Sequence, residues 1–147
     1  MRVPGIAWWP GKIGPAVTAQ LASTLDIFPT VLALAGAPRP EGRVLDGRDL
    51  APVLFRQEAL PPQPFMYYRG ETLMAVRLRE WKLHFQTQAG YGEPASKTHE
   101  PPLLFNLGLD PGERFDVAAQ HPEIVAELKA ATTAHQAAMV VAPSQLR

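Results

Sequence analysis

The sequence predicts an α+β fold in which a small antiparallel sheet is covered by a C-terminal helix, preceded by a separate strand and helix. Two patterns indicate the sheet and its cover. Short segments rich in aromatic and branched residues follow one another from Phe65 to Leu107, and apolar residues then recur at helical spacing after Pro122. The sixteen prolines are spread along the 147 residues, which favours short elements joined by turns.

The N-terminal part contains one predicted strand and one predicted helix. Ile6 to Trp9 is predicted to be a short buried strand that ends at a Pro-Gly pair. Asp26 is a favourable N-cap for a helix from Ile27 to Ala35, and Gly36 is a favourable end. The apolar face of this helix is predicted to consist of Phe28, Val31, Leu32 and Ala35. Residues 37–64 are proline-rich and are predicted to be loop, with a short apolar turn near residues 50–55.

Four short strands are predicted in the C-terminal part of the chain. They are Phe65 to Tyr68, Thr72 to Leu78, Trp81 to Gln86 and Leu103 to Leu107. The third strand alternates, so Trp81, Leu83 and Phe85 are expected in the core and Lys82, His84 and Gln86 in solvent. Residues 88–101 are predicted to be a loop of functional length, and residues 110–113, Asp-Pro-Gly-Glu, a tight turn.

The last predicted element is a helix that begins at Pro122, since proline is favoured in the first helical turn. Its predicted apolar ridge is formed by Ile124, Val125, Leu128, Thr132, His135 and Met139. The order of elements therefore places this helix against the sheet that precedes it.

The composition excludes several kinds of partner and site. Lysine plus arginine equals aspartate plus glutamate at 14 each, which argues against a nucleic-acid partner or an anionic membrane surface. No segment approaches the roughly 18–20 continuous apolar residues of a membrane span. Prolines and glycines interrupt the first 25 residues, so we expect no signal peptide there. The absence of cysteine excludes disulfides, thiolate zinc sites and a cysteine nucleophile.

His99-Glu100 has the first two residues of the zinc-protease motif H-E-x-x-H. The motif needs a second histidine at position 103, which is Leu103, and Pro101-Pro102 are incompatible with the helix interior that it requires. The zinc hypothesis therefore fails. His99 remains a candidate substrate contact, because loops at the ends of sheets often carry binding groups.

The other histidines have structural explanations. His84, on the polar face of a strand, is expected to be solvated or to contact a neighbouring strand. His135 is expected to be partly buried on the apolar ridge, and His121 can cap the helix that follows it. None of the four histidines has a second ligand at a metal-binding spacing.

Two further groups of residues could bind a ligand. Asp26, Asp46 and Asp49 could hold a hard cation, although capping and turn formation explain them more simply. Four aromatic residues could stack a sugar, although core packing is the better explanation for at least half of them: Trp8, Trp9, Tyr67 and Tyr68. Phosphate loops, nucleophile elbows and paired carboxylates are absent, so spacing alone predicts no self-contained active site.

An ordered series of segments nevertheless resembles the late part of a sulfatase, in the arylsulfatase A and N-acetylgalactosamine-6-sulfatase branch of that family. The segments are Arg2-Val3-Pro4, Ala7-Trp8-Trp9-Pro10-Gly11, Leu25-Asp26-Ile27-Phe28-Pro29-Thr30, Leu34-Ala35-Gly36, Leu45-Asp46-Gly47, Tyr67-Tyr68-Arg69-Gly70, Trp81-Lys82-Leu83-His84-Phe85, His99-Glu100-Pro101-Pro102-Leu103-Leu104-Phe105 and Asp110-Pro111-Gly112-Glu113-Arg114. Each motif alone is weak, but their order is specific and covers nearly the whole chain.

The resemblance implies an α/β fold for the intact protein. In that family an alkaline-phosphatase-like large domain is followed by a small domain with a four-stranded antiparallel sheet and a terminal helix. Residues 1–60 would close the large catalytic domain, and residues 61–147 would form the small one.

The resemblance also implies sulfate-ester hydrolysis, in which a formylglycine hydrate attacks sulfur beside a calcium ion. The formylglycine is made from Cys or Ser in a C/S-x-P-x-R motif, and Ser23, Ser96 and Ser144 are not followed by that pattern. The family's metal-binding carboxylates have no match either, so we expect no catalytic residue and no metal ligand in this chain. His99 is the one site residue that carries over, because the matching histidine lies at the mouth of the substrate pocket.

We therefore expect this chain to be the C-terminal part of a longer enzyme, with Met1 an internal methionine. The family has a Glu-Gly-Gly-x-Arg-x-Pro motif, and Met1-Arg2-Val3-Pro4 matches only its last four positions, x-Arg-x-Pro. The expected partners are the missing N-terminal catalytic half, a sulfate-ester substrate and, as a further possibility, other copies of the chain. Calcium and formylglycine would belong to the intact enzyme, and the chain alone would bind no cofactor and be inactive. A noncatalytic binding module and a complementing subunit remain alternatives, and the compartment is open because family members are lysosomal, periplasmic or secreted.

Overall fold

The structure, a computed structural model, describes residues 3–88, 90 and 96–139. It divides the chain into two compact units, Met1–Pro61 (unit 1) and Pro62–Arg147 (unit 2). Met1, Arg2, Ser144 and much of the loop predicted at residues 88–101 lie outside the described residues.

Unit 1 is organised around the buried carboxylate of Asp26. A 3₁₀ turn at Thr24–Asp26 leads into helix α1, Ile27–Ala35, and helix α2 follows at Ala51–Arg56. The Asp26 carboxylate accepts hydrogen bonds from the backbone N–H of Ser23 and of Arg48, each at 2.7 Å. Asp26 therefore caps the 3₁₀ turn and ties it to the loop before α2.

One prediction for unit 1 is wrong. Residues 3–9 form no strand, and Ile6 and Trp8 are 93% and 83% exposed. A strand must pair its backbone N–H and C=O groups with a neighbour, and the part of the chain that the structure describes supplies none beside this segment. Helix α1 matches its predicted bounds, and on it Phe28 and Val31 are half exposed while Pro29 and Thr30 are buried.

Unit 2 contains a four-stranded antiparallel sheet of order β1-β2-β3-β4, which confirms the predicted architecture. The strands are β1 Phe65–Arg69, β2 Thr72–Leu78, β3 Trp81–Thr87 and β4 Lys97–Asn106. The first three match the prediction closely. The fourth begins at Lys97 instead of Leu103 and takes in residues that were predicted to be loop.

Helix α3, Pro122–Ala138, follows a 3₁₀ turn and covers one face of the sheet. Leu128 of this helix is fully buried in a cluster with residues of three strands. The other buried members are Val76, Leu78, Leu83 and Leu104. Each buried leucine contributes roughly 1.5–3 kcal/mol through the hydrophobic effect, so this cluster holds helix and sheet together.

The prediction for the polar face of β3 is wrong. Trp81 and Phe85 pack against the core as expected, but Lys82 on the opposite face is buried, with 6% of its surface exposed. His84 on the same face is only partly accessible. Both side chains are covered because Glu113 lies over them from the turn after β4.

No helix in the described ranges has the length and apolar character that crossing a membrane requires.

Candidate functional site

The segment His99–Pro102 forms a bulge in β4. The register passes from the pair His84–Leu103 to the pair Gln86–Thr98, so Phe85 alone in β3 faces four residues of β4. Pro101 and Pro102 have no backbone N–H and cannot donate to a ladder of hydrogen bonds, which explains why the segment leaves regular pairing. Bulges redirect side chains, and this one includes the histidine that the sequence singled out.

The structure places His99 inside β4, whereas the sequence predicted a loop position. Its ring is half-buried, and its Nε2 atom lies 2.8 Å from the hydroxyl oxygen of Thr87, the last residue of β3. Among the described residues the other ring nitrogen, Nδ1, has no hydrogen-bond partner. Within the described residues, His99 therefore has one ring nitrogen fixed by Thr87 and one without a hydrogen-bond partner.

A second polar pair lies at the same end of the sheet, on the face opposite to the Thr87–His99 pair, because successive side chains of a strand point to opposite faces. The Ser96 hydroxyl, just before β4, donates a hydrogen bond of 2.7 Å to the side-chain carbonyl of Gln86, the residue before Thr87 in β3. Imidazole, hydroxyl and amide groups are suited to binding oxygen-rich ligands such as sulfate or sugar. This end of the sheet therefore carries polar groups that suit such a ligand.

A cluster that the sequence did not predict lies on the face of β3 opposite the core. The two oxygens of Glu113 are bound separately: Oε1 lies 2.6 Å from Lys82 Nζ, and Oε2 lies 2.7 Å from His84 Nε2. The side chains of Lys82, His84 and Glu113 are 7%, 12% and 23% exposed. The alternation of β3 places Lys82 and His84 on one face, which is the one sequence signal that could have suggested the cluster.

Electrostatics fix the charge state of this cluster near neutral pH. Burial raises the pKa of Glu113. The hydrogen bond and positive charge of Lys82, together with contributions from His84, outweigh burial, so the pKa of Glu113 is lowered overall. Burial, followed by the charge of Lys82, lowers the pKa of His84 against an opposing contribution from Glu113. A Glu113–Lys82 ion pair with a neutral His84 follows, and this arrangement is structural because all three groups already have partners.

The remaining candidates have local structural roles. His135 Nε2 lies 3.0 Å from the Tyr68 hydroxyl, and His121 Nδ1 lies 3.4 Å from Glu123 at the start of α3. Asp49 accepts a hydrogen bond from the Ala51 backbone N–H at the start of α2. Across the described residues, no three His, Asp or Glu side chains lie close enough together to hold a metal.

The aromatic residues are divided between packing and exposure. Trp9 contacts Phe55 edge-on with ring centroids 5.8 Å apart, whereas Trp8 is exposed. The ring of Tyr67 lies 4.9 Å from Lys82 Nζ, a distance typical of a cation–π contact. Packing therefore accounts for Trp9 and Tyr67, while Trp8 is open to solvent.

Comparison with known proteins places these features in a family context. The family model for the C-terminal region of aryl-sulfatase matches residues 60–147. N-acetylgalactosamine-6-sulfatase from Homo sapiens is 39% identical over 99% of this chain and 32% of its own length. Arylsulfatase A from Homo sapiens is 41% identical over 88% of this chain and 29% of its own length.

The solved structure of the PsFucS1 sulfatase from Pseudoalteromonas sp. is also similar. It superimposes with a TM-score of 0.76 at 26% identity, over 90% of this chain and 29% of that one. The chain thus spans about a third of the length of the curated relatives it matches.

Proposed function

Because this chain belongs to the sulfatase family and carries its C-terminal region, we propose that it forms part of a sulfuric ester hydrolase acting on aryl or carbohydrate sulfate esters. The observation that carries the proposal is the 39% identity to a sulfatase over 99% of the chain, which includes both units. The four-stranded sheet and its similarity to sulfatase structures agree with the alkaline-phosphatase-like class of fold.

The role that we propose for this chain is to supply one wall of the substrate pocket through His99. Its free Nδ1 atom can donate a hydrogen bond to an oxygen of the sulfate group or of the leaving group. Such a bond is worth most when it goes to a charged oxygen. The bulge supports this role because it holds the ring at the end of the sheet and away from the regular ladder.

The bond-breaking chemistry is assigned to a separate, N-terminal catalytic part. The chain has no cysteine, and its serines are not followed by the x-P-x-R pattern from which formylglycine is made. The described residues do not fit a calcium site, since no three of their carboxylate or imidazole groups converge. We therefore expect a nucleophile and a metal, where the enzyme uses them, to be held by residues of the catalytic part.

The exposed apolar side chains of unit 1 support the existence of such a partner. Val3, Ile6 and Trp8 are each at least 80% exposed, and Phe28 and Val31 of α1 are about half exposed. A concentration of exposed apolar groups is typical of a surface that another polypeptide segment covers. The same surface would serve a complementing subunit, in which case a separate protein with a C/S-x-P-x-R motif would co-purify with this chain.

Kinetics of a His99→Ala variant test the proposal. In the sulfatase that joins this chain to its catalytic part, the variant should lower kcat/KM by about tenfold, because one hydrogen bond to a charged oxygen is lost. His135→Ala is a matched control, since that ring contacts Tyr68 and has no place in the bulge. Unchanged kinetics on several sulfate esters would refute the role of His99. Hydrolysis of an aryl sulfate by the purified chain alone, with calcium present, would refute the assignment of the bond-breaking chemistry to a separate catalytic part.

A further inference from the structure

The hydrogen bond between Thr87 and His99 links two strands where regular pairing has stopped. Thr87 is the last residue of β3, and its backbone register partner is Lys97. His99 lies in the stretch that has no register partner in β3. The 2.8 Å contact from the Thr87 hydroxyl to Nε2 is therefore the described polar contact that fixes the imidazole ring of His99.

A threonine hydroxyl can serve both charge states of this ring. Toward a neutral imidazole it either donates its proton to Nε2, which leaves the ring proton on Nδ1, or accepts from Nε2–H, which leaves Nδ1 unprotonated. Toward an imidazolium it accepts a hydrogen bond from Nε2–H, and Nδ1 again carries a proton. Nδ1 is therefore a donor in the imidazolium and in the neutral ring whose Nε2 accepts from Thr87, and a donor is what an anionic sulfate oxygen requires.

We propose that Thr87 is a positioning residue that keeps His99 in the tautomer with its proton on Nδ1, so that this nitrogen donates to the substrate. The inference rests on the proposed contact between His99 and a sulfate ester, and it adds which nitrogen makes that contact and what fixes it. The Ser96–Gln86 hydrogen bond of 2.7 Å joins Gln86 of β3 to the residue before β4, and it helps to keep the ends of these two strands together.

The test is nuclear magnetic resonance of the ¹⁵N-labelled 147-residue chain. At about pH 8.5, above the usual range of histidine pKa values, long-range ¹H–¹⁵N spectra report which ring nitrogen carries the proton. We expect a protonated Nδ1 and an unprotonated Nε2 for His99 in the wild type and in Thr87→Ser. In Thr87→Val, which keeps the shape but lacks the hydroxyl, the form with its proton on Nε2 should become the major one.

Two results would overturn the inference. One is a wild-type His99 with its proton on Nε2, a measurement that needs no variant and so cannot be confused by a folding defect. The other is a Thr87→Val chain whose backbone amide shifts in the sheet are unchanged and whose His99 ring still carries its proton on Nδ1.

Kinetics of the joined enzyme separate this inference from the proposed function. We expect about a tenfold loss of kcat/KM for Thr87→Val and retention within about twofold for Thr87→Ser. A lowered kcat/KM for His99→Ala together with an unchanged kcat/KM for Thr87→Val would refute only the positioning role of Thr87. An unaffected His99→Ala variant would instead refute the substrate contact, and the ring assignment from the spectra would stand.

Discussion

The carboxylate of Glu113 lies 2.6 Å from the ammonium nitrogen of Lys82, a side chain that is only 7% exposed. The two residues are 31 positions apart, so the contact fixes the turn after β4 against the face of β3. Glu113 has a φ of 53°, in the left-handed region that disfavours a residue with a Cβ. Such a conformation persists where the surroundings impose it, and here the ion pair with Lys82 and the bond to His84 do so.

Replacing Glu113 with glutamine should destabilise the chain by about 1–3 kcal/mol, because Lys82 would stay buried without a counter-charge. Urea unfolding followed by tryptophan fluorescence measures the change. Glu127→Gln is the matched control, since Glu127 also pairs with a basic residue, Arg79, but both side chains are 41% exposed. That exposed pair should contribute no more than about 1 kcal/mol. Equal losses in the two variants would show that burial of Lys82 does not matter.

The same cluster predicts how stability depends on pH. The pKa of His84 is lowered below its ordinary value of 6.5, so the unfolded chain takes up that proton more readily, and stability falls as the pH drops below 6.5. The pKa of Glu113 is lowered below its ordinary value of 4.5, so its contribution is complete above 4.5 and is lost below it. Acidification should therefore destabilise the chain in two steps.

Urea unfolding at a series of pH values measures both steps. Glu113→Gln should abolish the lower step, because no carboxylate remains to be protonated there. It should also enlarge the upper step, since Glu113 opposes the lowering of the pKa of His84. A free energy of unfolding that increases as the pH is lowered from 6.5 to 4.5 would contradict the lowered pKa values of His84 and Glu113.

The sheet and its covering helix could be predicted because their signals are local. Alternation in β3 and the proline at position 122 depend on neighbouring residues, and the sheet architecture and the family resemblance are both confirmed. The start of β4 was missed because Pro101-Pro102 predict a loop, whereas the chain accommodates them in a bulge within the strand.

The contacts that define the two polar sites could not be predicted from local patterns. Glu113 reaches Lys82 across 31 positions and Thr87 reaches His99 across 12, and both distances depend on how the turn and the bulge fold. The strand expected at residues 6–9 failed for a related reason. Its short apolar run matches the local pattern of a buried strand, but a strand also needs a neighbouring strand to pair with, and no local pattern reveals whether one is present.

Gly47, in the segment Leu45-Asp46-Gly47, is required for the packing of unit 1. A Cβ atom at this buried position would overlap the backbone carbonyl of Leu25. Backbone cannot yield as a flexible side chain does, so Gly47→Ala should displace the loop and break the 2.7 Å hydrogen bond from Arg48 N–H to Asp26. We expect a loss of about 1–3 kcal/mol in the local stability of unit 1. Hydrogen exchange at the Arg48 amide should accelerate accordingly. Gly14→Ala is the control, because nothing lies within 4 Å of its added Cβ, and equal exchange rates in the two variants would refute the close approach.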